Sequence, residues 1–140
     1  MSFKIVENLE AKRYIRNLFQ YQKFNWEVTL NFNQWLQEAG KVKCYLLLKD
    51  DKLVTLALLS KCDYDEYEGQ SNPYICNYIY TFENYRRKGY GLQLLEFLKS
   101  KEQLTAICSC DESEKLFQKA KFINHGLDKI FHINPVYRYP

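Results

Sequence analysis

Apolar positions along this chain change their spacing several times, and each change marks an element. Phe3 to Val6 is a short strand-like run. Asn8 follows as a candidate N-cap with Glu10 in the first turn. Tyr14, Ile15, Leu18 and Phe19 then recur at i, i+1, i+4 and i+5, the stripe of an amphipathic helix. Beyond Phe24 and Trp26 a second helical stripe passes through Phe32, Trp35, Leu36 and Ala39 and stops at Gly40, a C-cap residue. The aromatics on both stripes read first as core contacts.

Cys44 to Leu48 and Leu53 to Leu59 are apolar runs joined by Lys49-Asp50-Asp51-Lys52, a hairpin with Asp in the turn positions. Lys61 to Asn72 is a polar loop or flared hairpin end, in which Asp63, Asp65, Glu66 and Glu68 interleave with Tyr64 and Tyr67. Tyr74 to Phe82 is a strand rich in aromatic and β-branched residues. Neither of its faces is consistently polar, which predicts a central place in the sheet. After a glycine-containing loop, Leu92, Leu94, Leu95 and Leu98 start a helix, and Leu104 to Cys108 forms another strand. Asp111 and Ser113 can cap a further helix carrying Leu116, Phe117 and Ala120 on one face. Phe122 to Asn124 and Lys129 to Ile133 suggest a closing pair of strands about a turn at His125-Gly126. The order β-α-α-β-β-β-α-β-α-β-β predicts an α/β (α+β) fold: a mixed, mostly antiparallel central sheet with helices on both faces.

Composition narrows the picture. The 140 residues suffice for one compact core and are too few for two ordinary domains, so residues 1–140 read as a single domain. A formal charge of +3 is too small to imply a nucleic-acid partner, although it allows a local anion site. No apolar run approaches the roughly 18 residues of a membrane helix. Met1 to Glu10 lacks the apolar core of a signal peptide, so a cytoplasmic setting with no membrane partner is expected. The five cysteines, Cys44, Cys62, Cys76, Cys108 and Cys110, are an odd number and read as reduced thiols. Cys108-x-Cys110 with His125 and His132 is spaced too closely for the usual zinc ligand pair, and no metal is expected.

The candidate chemistry lies at Tyr85-Arg86-Arg87-Lys88-Gly89-Tyr90-Gly91, between the aromatic strand and the Leu92 helix. Glycines let the backbone turn sharply and approach a ligand closely. The helix that follows presents unpaired amides and the positive end of its dipole to an anion, with Arg86, Arg87 and Lys88 adding charge. The bland alternative is a solvated basic loop. Neither G-x-G-x-x-G nor G-x-x-x-x-G-K-[ST] is present; the pattern is R-x-x-G-x-G, as Arg86, Gly89 and Gly91, closing a strand and opening a helix.

In that setting the chain resembles the GNAT family of acyl-CoA-dependent N-acetyltransferases, whose motif A is [RQ]-x-x-G-x-[GA]. The resemblance extends to the order of elements over nearly the whole chain. It implies acetyl-CoA as co-substrate and direct transfer of its acetyl group to an amine acceptor, a small molecule or a protein amine. It implies that Arg86, Arg87, Lys88, Gly89, Tyr90 and Gly91 hold the pyrophosphate. The backbone of Tyr80, Thr81 and Phe82 would bond the pantetheine arm as if it were a strand. At about 3.3 Å per strand residue, an arm running roughly 10 to 16 Å back from Thr81 ends near Cys76 to Tyr78, which makes Asn77 and Tyr78 the strand's catalytic candidates. The acidic segment from Asp63 to Glu68 is a candidate for attracting a cationic amine, or simply a solvated loop.

Family members often carry a Tyr in a run similar to L-Y-x-K-x-G-F, with an Asn seven residues before it. Here the run is Leu116-Phe117-Gln118-Lys119-Ala120-Lys121-Phe122, so Phe117 occupies the usual general-acid position beside the coenzyme and Cys110 the Asn position. A phenyl ring cannot donate a proton. Two rival readings follow: a catalytically silent module of the same fold that binds CoA or a protein partner, and a nucleic-acid module using the basic loop and exposed tyrosines. The second lacks any matching signature. Monomer and homodimer both stay open.

Overall fold

The computed structural model describes residues 3–21, 26–37, 41–61, 72–108, 110–129 and 131–139, with side chains left out at 19–21 and 26. Phe24, Ala39, Gly40, Cys62 and the acidic segment from Asp63 to Glu68 lie outside them. Strands β1 (Phe3–Glu7), β2 (Val42–Lys49), β3 (Lys52–Lys61), β4 (Pro73–Thr81), β5 (Gln103–Ile107), β6 (Ile123–Leu127) and β7 (Pro135–Tyr139) alternate with helices α1 (Asn8–Tyr21), α2 (Trp26–Leu36), α3 (Tyr90–Lys101) and α4 (Asp111–Lys119). The expected order of elements is therefore the one found. The strands form one seven-stranded sheet in the order β1-β2-β3-β4-β5-β7-β6, antiparallel at every junction except β4 to β5.

Alternation along β2 shows how the layers are built. Leu46 and Leu48 pack with Val6, Ile15, Phe32 and Trp35 on the α1/α2 face. Tyr45 and Leu47 pack with Leu94, Leu95, Leu98 and Phe117 on the α3/α4 face. Both faces are covered, which is why β2 and β3 read as continuous apolar runs. The turn between them has Asp50 at φ 48 and Asp51 at φ 64. Two central residues at positive φ are what a tight hairpin turn requires, and Asp tolerates that region better than most side chains. Trp35 fixes α2 to the sheet by donating its Nε1–H to Leu59 O at 2.7 Å inside the core.

Four sequence expectations need correction. Asn8 is the first helical residue, at φ 51, and its buried Oδ1 accepts no hydrogen bond from the described residues, so it does not cap α1. Cys110, not Asp111 or Ser113, is the N-cap of α4, without a side-chain cap bond; Ser113 Oγ instead donates to Cys110 O at 3.0 Å. The last strand is Pro135–Tyr139 rather than Lys129 to Ile133. His125-Gly126 lies within β6, where Gly126 at φ 89 marks a register shift between Asn124 and Leu127, not the turn. The physical reason is Asp128. Its carboxylate accepts the N–H groups of Phe131, Ile133 and Asn134 at 2.7, 3.0 and 3.1 Å. Those bonds shape the connection as a loop and leave Phe131 and Ile133 74% and 70% exposed. They also hold the Asp128 carboxyl down at about 2.

Candidate functional site

β4 and β5 are neighbours for only three residue pairs, Pro73–Ile75 with Gln103–Thr105. Beyond Ile75 the strands part, while β3 stays paired with β4 as far as Thr81. The gap opens into a cleft of about 700 Å³ whose walls come from β4, the loop before α3, the end of β5, and α4.

Register decides which backbone groups face that gap. Phe82 N–H donates to Val54 O at 3.0 Å, so the hydrogen-bonded pairs of the antiparallel ladder fall at Phe82 and Tyr80. Ile79 and Thr81 sit opposite Ala57 and Thr55 as non-bonded pairs and direct their backbone groups to the side that β5 has left. On that side Arg86 donates its Nε–H to Thr81 O at 2.9 Å, and its guanidinium lies 5.1 Å from the Tyr80 ring.

A bulge determines the side-chain faces. Leu59 pairs with Cys76 and Leu58 with Tyr78, so Asn77 is an extra residue with no partner across the ladder. The extra residue flips the alternation. Cys76 packs into the α3/α4 core, whereas Tyr78, Tyr80 and Phe82 pack against the α1/α2 core. Tyr78 stacks on Tyr80 with centroids 5.7 Å apart and planes at 11°. The Tyr78 hydroxyl oxygen is buried and has no hydrogen-bond partner among the described residues. Burial raises the phenol's pKa, and the Glu27 charge pushes the same way, so Tyr78 is a donor at neutral pH.

At the other end of the cleft a 3₁₀ turn, Glu83–Tyr85, leads into the glycine loop. Gly89, at φ 81, is the N-cap of α3, and no side chain caps that helix. The first bond of the helix is Gln93 N–H to Gly89 O at 2.9 Å, so the amides of Tyr90, Gly91 and Leu92 stand ahead of it. A β-carbon at Gly91 would stand 3.4 Å from Thr81 Oγ1 and 3.7 Å from Leu116, ordinary contact distances that place this turn between β4 and α4.

Of the residues singled out in sequence, Asn77, Tyr78, Tyr80, Thr81, Arg86 and Arg87 line the cleft. Gly89, Tyr90, Gly91, Cys110 and Phe117 do so too. Phe82 and Lys88 are not on its wall; Phe82 has its amide on β3 and its ring at 5.2 Å from Tyr80 on the α1/α2 face. Phe117 is 2% exposed and packs against Phe122 at 4.9 Å. Cys110 is exposed, with Sγ 3.4 Å from Ser113 Oγ. Burial pushes the Cys76 thiol up to about 12 and that of Cys108 to about 11, so neither of these two thiols on the cleft wall is a thiolate at neutral pH. Glu27 also lines the cleft, and sequence reasoning missed it. A lone glutamate in a helix's first turn has an ordinary reading as a dipole partner, and nothing nearby marks it out. Among the described residues no cluster of His, Cys, Asp and Glu could hold a metal ion.

Comparison with known proteins agrees with this geometry. The family model described as "Acetyltransferase (GNAT) family" matches residues 6–119. No curated protein sequence matches the chain. Among solved structures, the Bacillus subtilis N-acetyltransferase YlbP in complex with coenzyme A is similar with a TM-score of 0.65 at 15% identity, covering 99% of this chain and 96% of that one. Arabidopsis thaliana NAA60 in complex with acetyl-CoA has a TM-score of 0.59 at 13% identity, covering 99% and 98%. The aminoglycoside antibiotic 6'-N-acetyltransferase AAC(6')-Ih from Acinetobacter baumannii has a TM-score of 0.61 at 14% identity, covering 93% and 97%. A matched stretch that spans most of the chain, on a sheet split between β4 and β5 with an uncapped helix N-terminus at the split, means that the chain belongs to the acetyltransferase (GNAT) family.

Proposed function

We propose that this cleft holds acetyl-CoA between β4 and α4 and transfers its acetyl group to an amine by direct attack. The observation that carries the reading is the coincidence, in one cleft, of a strand edge without a neighbour and a helix N-terminus without a cap. Coenzyme A offers amides for the one and a pyrophosphate for the other. The residues present fit it. Ile79 and Thr81 have backbone groups on the open side, and the amides of Tyr90, Gly91 and Leu92, with Arg86 and Arg87 beside them, suit the phosphates. When bound, the coenzyme supplies an activated acetyl thioester; the protein's part is to position it and to manage protons.

Asn77 and Tyr78 lie at the far end of that edge from the phosphate loop, and we assign them to the reacting end. Tyr78 brings a hydroxyl held in its protonated form. The raised Cys76 and Cys108 thiols favour direct transfer over a cysteine-bound intermediate. Phe117 supplies no proton. A coenzyme thiol with a pKa near that of free cysteine, about 8.5, still leaves tolerably as a thiolate. The acceptor is a small-molecule or protein amine. Free thiols at Cys44, Cys76, Cys108 and Cys110 support a reducing, cytoplasmic setting, and no helix among the described residues is long and apolar enough to cross a membrane.

The buried phenyl ring of Phe117 favours one second reading, a silent module that binds CoA or a protein partner. Thermal unfolding with acetyl-CoA, CoA and single-stranded DNA, followed by thiol release over a panel of amines, separates the two. Acetyl-CoA at 100 times its dissociation constant should stabilise the fold by about 2.7 kcal/mol. No shift with either coenzyme removes both readings, and a shift without thiol release on any amine leaves the silent module.

A further inference from the structure

The cleft reaches beyond the elements assigned above to the coenzyme. Its wall is built from β4, β5, α3, α4 and the loops between them, with one exception among the described residues: Glu27, from the first turn of α2 across the sheet. We infer that Glu27 binds the acceptor as a cationic primary amine and takes its proton, so that the acceptor enters from the α2 side of the sheet. The inference rests on the acetyltransferase reading above.

Charge is divided along the cleft. Arg86 and Arg87 precede α3, and Lys115 and Lys119 project from α4. The remaining carboxylate on the wall, Glu112, lies three residues from Lys115 on the same helix, within the layer that faces the coenzyme. Among the described residues Glu27 alone stands on the opposite layer. Helix α2 packs against β4, Glu27 and Tyr78 share the cleft wall, and the Glu27 charge adds to the burial that raises the Tyr78 phenol's pKa, so Glu27 lies by the Tyr78 end of the open edge. Tyr78 follows the Asn77 bulge, and its buried hydroxyl oxygen has no partner among the described residues. Tyr78 is three steps along the strand from Thr81, about 10 Å, which puts Glu27 beside the thioester end and away from the phosphates.

The proton balance needs such a group. An amine arrives mostly as ammonium, and its nitrogen has no lone pair until a proton leaves. Glu27 pairs with the ammonium and accepts that proton. The neutral nitrogen then bonds to the thioester carbonyl carbon, and the C–S bond breaks with its electron pair going to sulfur. The second nitrogen proton neutralises the thiolate, and Glu27 returns its proton to water. The sum is ammonium plus thioester giving amide, thiol and one proton.

The test compares wild type, Glu27→Gln and Glu27→Asp with cadaverine, a cation at neutral pH, and methoxyamine, an uncharged nucleophile. Acetyl-CoA binding is measured by calorimetry on the same proteins. The expected result is a fall of about 10² or more in kcat/KM for cadaverine in Glu27→Gln, the range of a lost acid–base group. The loss for methoxyamine should be under about tenfold on the same scale, acetyl-CoA affinity should hold, and Glu27→Asp should recover part of the cadaverine rate. An unchanged cadaverine rate overturns the inference, as do equal losses on both nucleophiles. If wild type binds no acetyl-CoA, or binds it and releases thiol with no amine of the panel, the acetyltransferase reading fails and takes the inference with it; if it uses other amines of the panel but not cadaverine, the inference alone fails.

Discussion

The two halves of β4 share a backbone and a composition, yet one is core and the other is site. Pro73 to Ile75 have β3 on one side and β5 on the other, and Tyr74 is 2% exposed within the larger hydrophobic cluster. From Asn77 to Thr81 the same strand has β3 alone, and its outer edge forms a cleft wall. The difference comes from β5, which turns from β4 towards β7 after a few residues. A strand's role is thus decided by its neighbour: a paired edge contributes stability, and an unpaired edge in a protected gap is a ready-made site for a ligand that can act as a strand.

Substitutions should separate the halves. The largest effect on folding is expected in the closed half. Tyr74→Ala removes a buried ring with Lys43 Nζ 4.5 Å from its centroid, and should cost about 3–5 kcal/mol by chemical denaturation. Asn77→Ala in the open half should change stability by no more than about 0.5 kcal/mol, because its side chain is exposed, while slowing acetyl transfer. Equal destabilisation by both would erase the distinction.

Next in size is Gly91→Asp. A carboxylate in the first turn of α3 suits the helix dipole, so the fold should persist. It would oppose the phosphates, and acetyl-CoA affinity should drop by about 10² or more. Unchanged binding by calorimetry would show that the α3 N-terminus is not the phosphate site.

Much of this was legible beforehand. The order of elements followed from apolar spacing because each helix has one buried stripe, and R-x-x-G-x-G marked the α3 turn because few residues tolerate the φ of 81 found at Gly89. What escaped depends on contacts distant in sequence. The departure of β5, the Asn77 bulge and the placing of Glu27 are properties of pairs of elements. The final strand was misjudged because Phe131 and Ile133 are apolar yet exposed, shaped by one carboxylate whose backbone bonds leave no periodic trace. The reading of Tyr80, Thr81 and Phe82 as one group could not anticipate that the ladder's parity gives the open side to Ile79 and Thr81.

A smaller effect tests the chemistry within the open half. Phe117→Tyr should raise the single-turnover rate by about tenfold, the lower part of what a general acid contributes, with acetyl-CoA affinity nearly unchanged. Equal and fast rates would mean that another group, such as Tyr78, already fills that role.

The central claim is that an incoming thioester pairs with the open half of β4. Amide hydrogen exchange with and without acetyl-CoA, resolved by residue, tests it most directly. The account predicts strong new protection at Ile79, Thr81 and the Tyr90 to Leu92 amides, with little change at Tyr74 and Ile75, which are already bonded between β3 and β5. Protection that spares Ile79 and Thr81, or spreads evenly along β4, would contradict it.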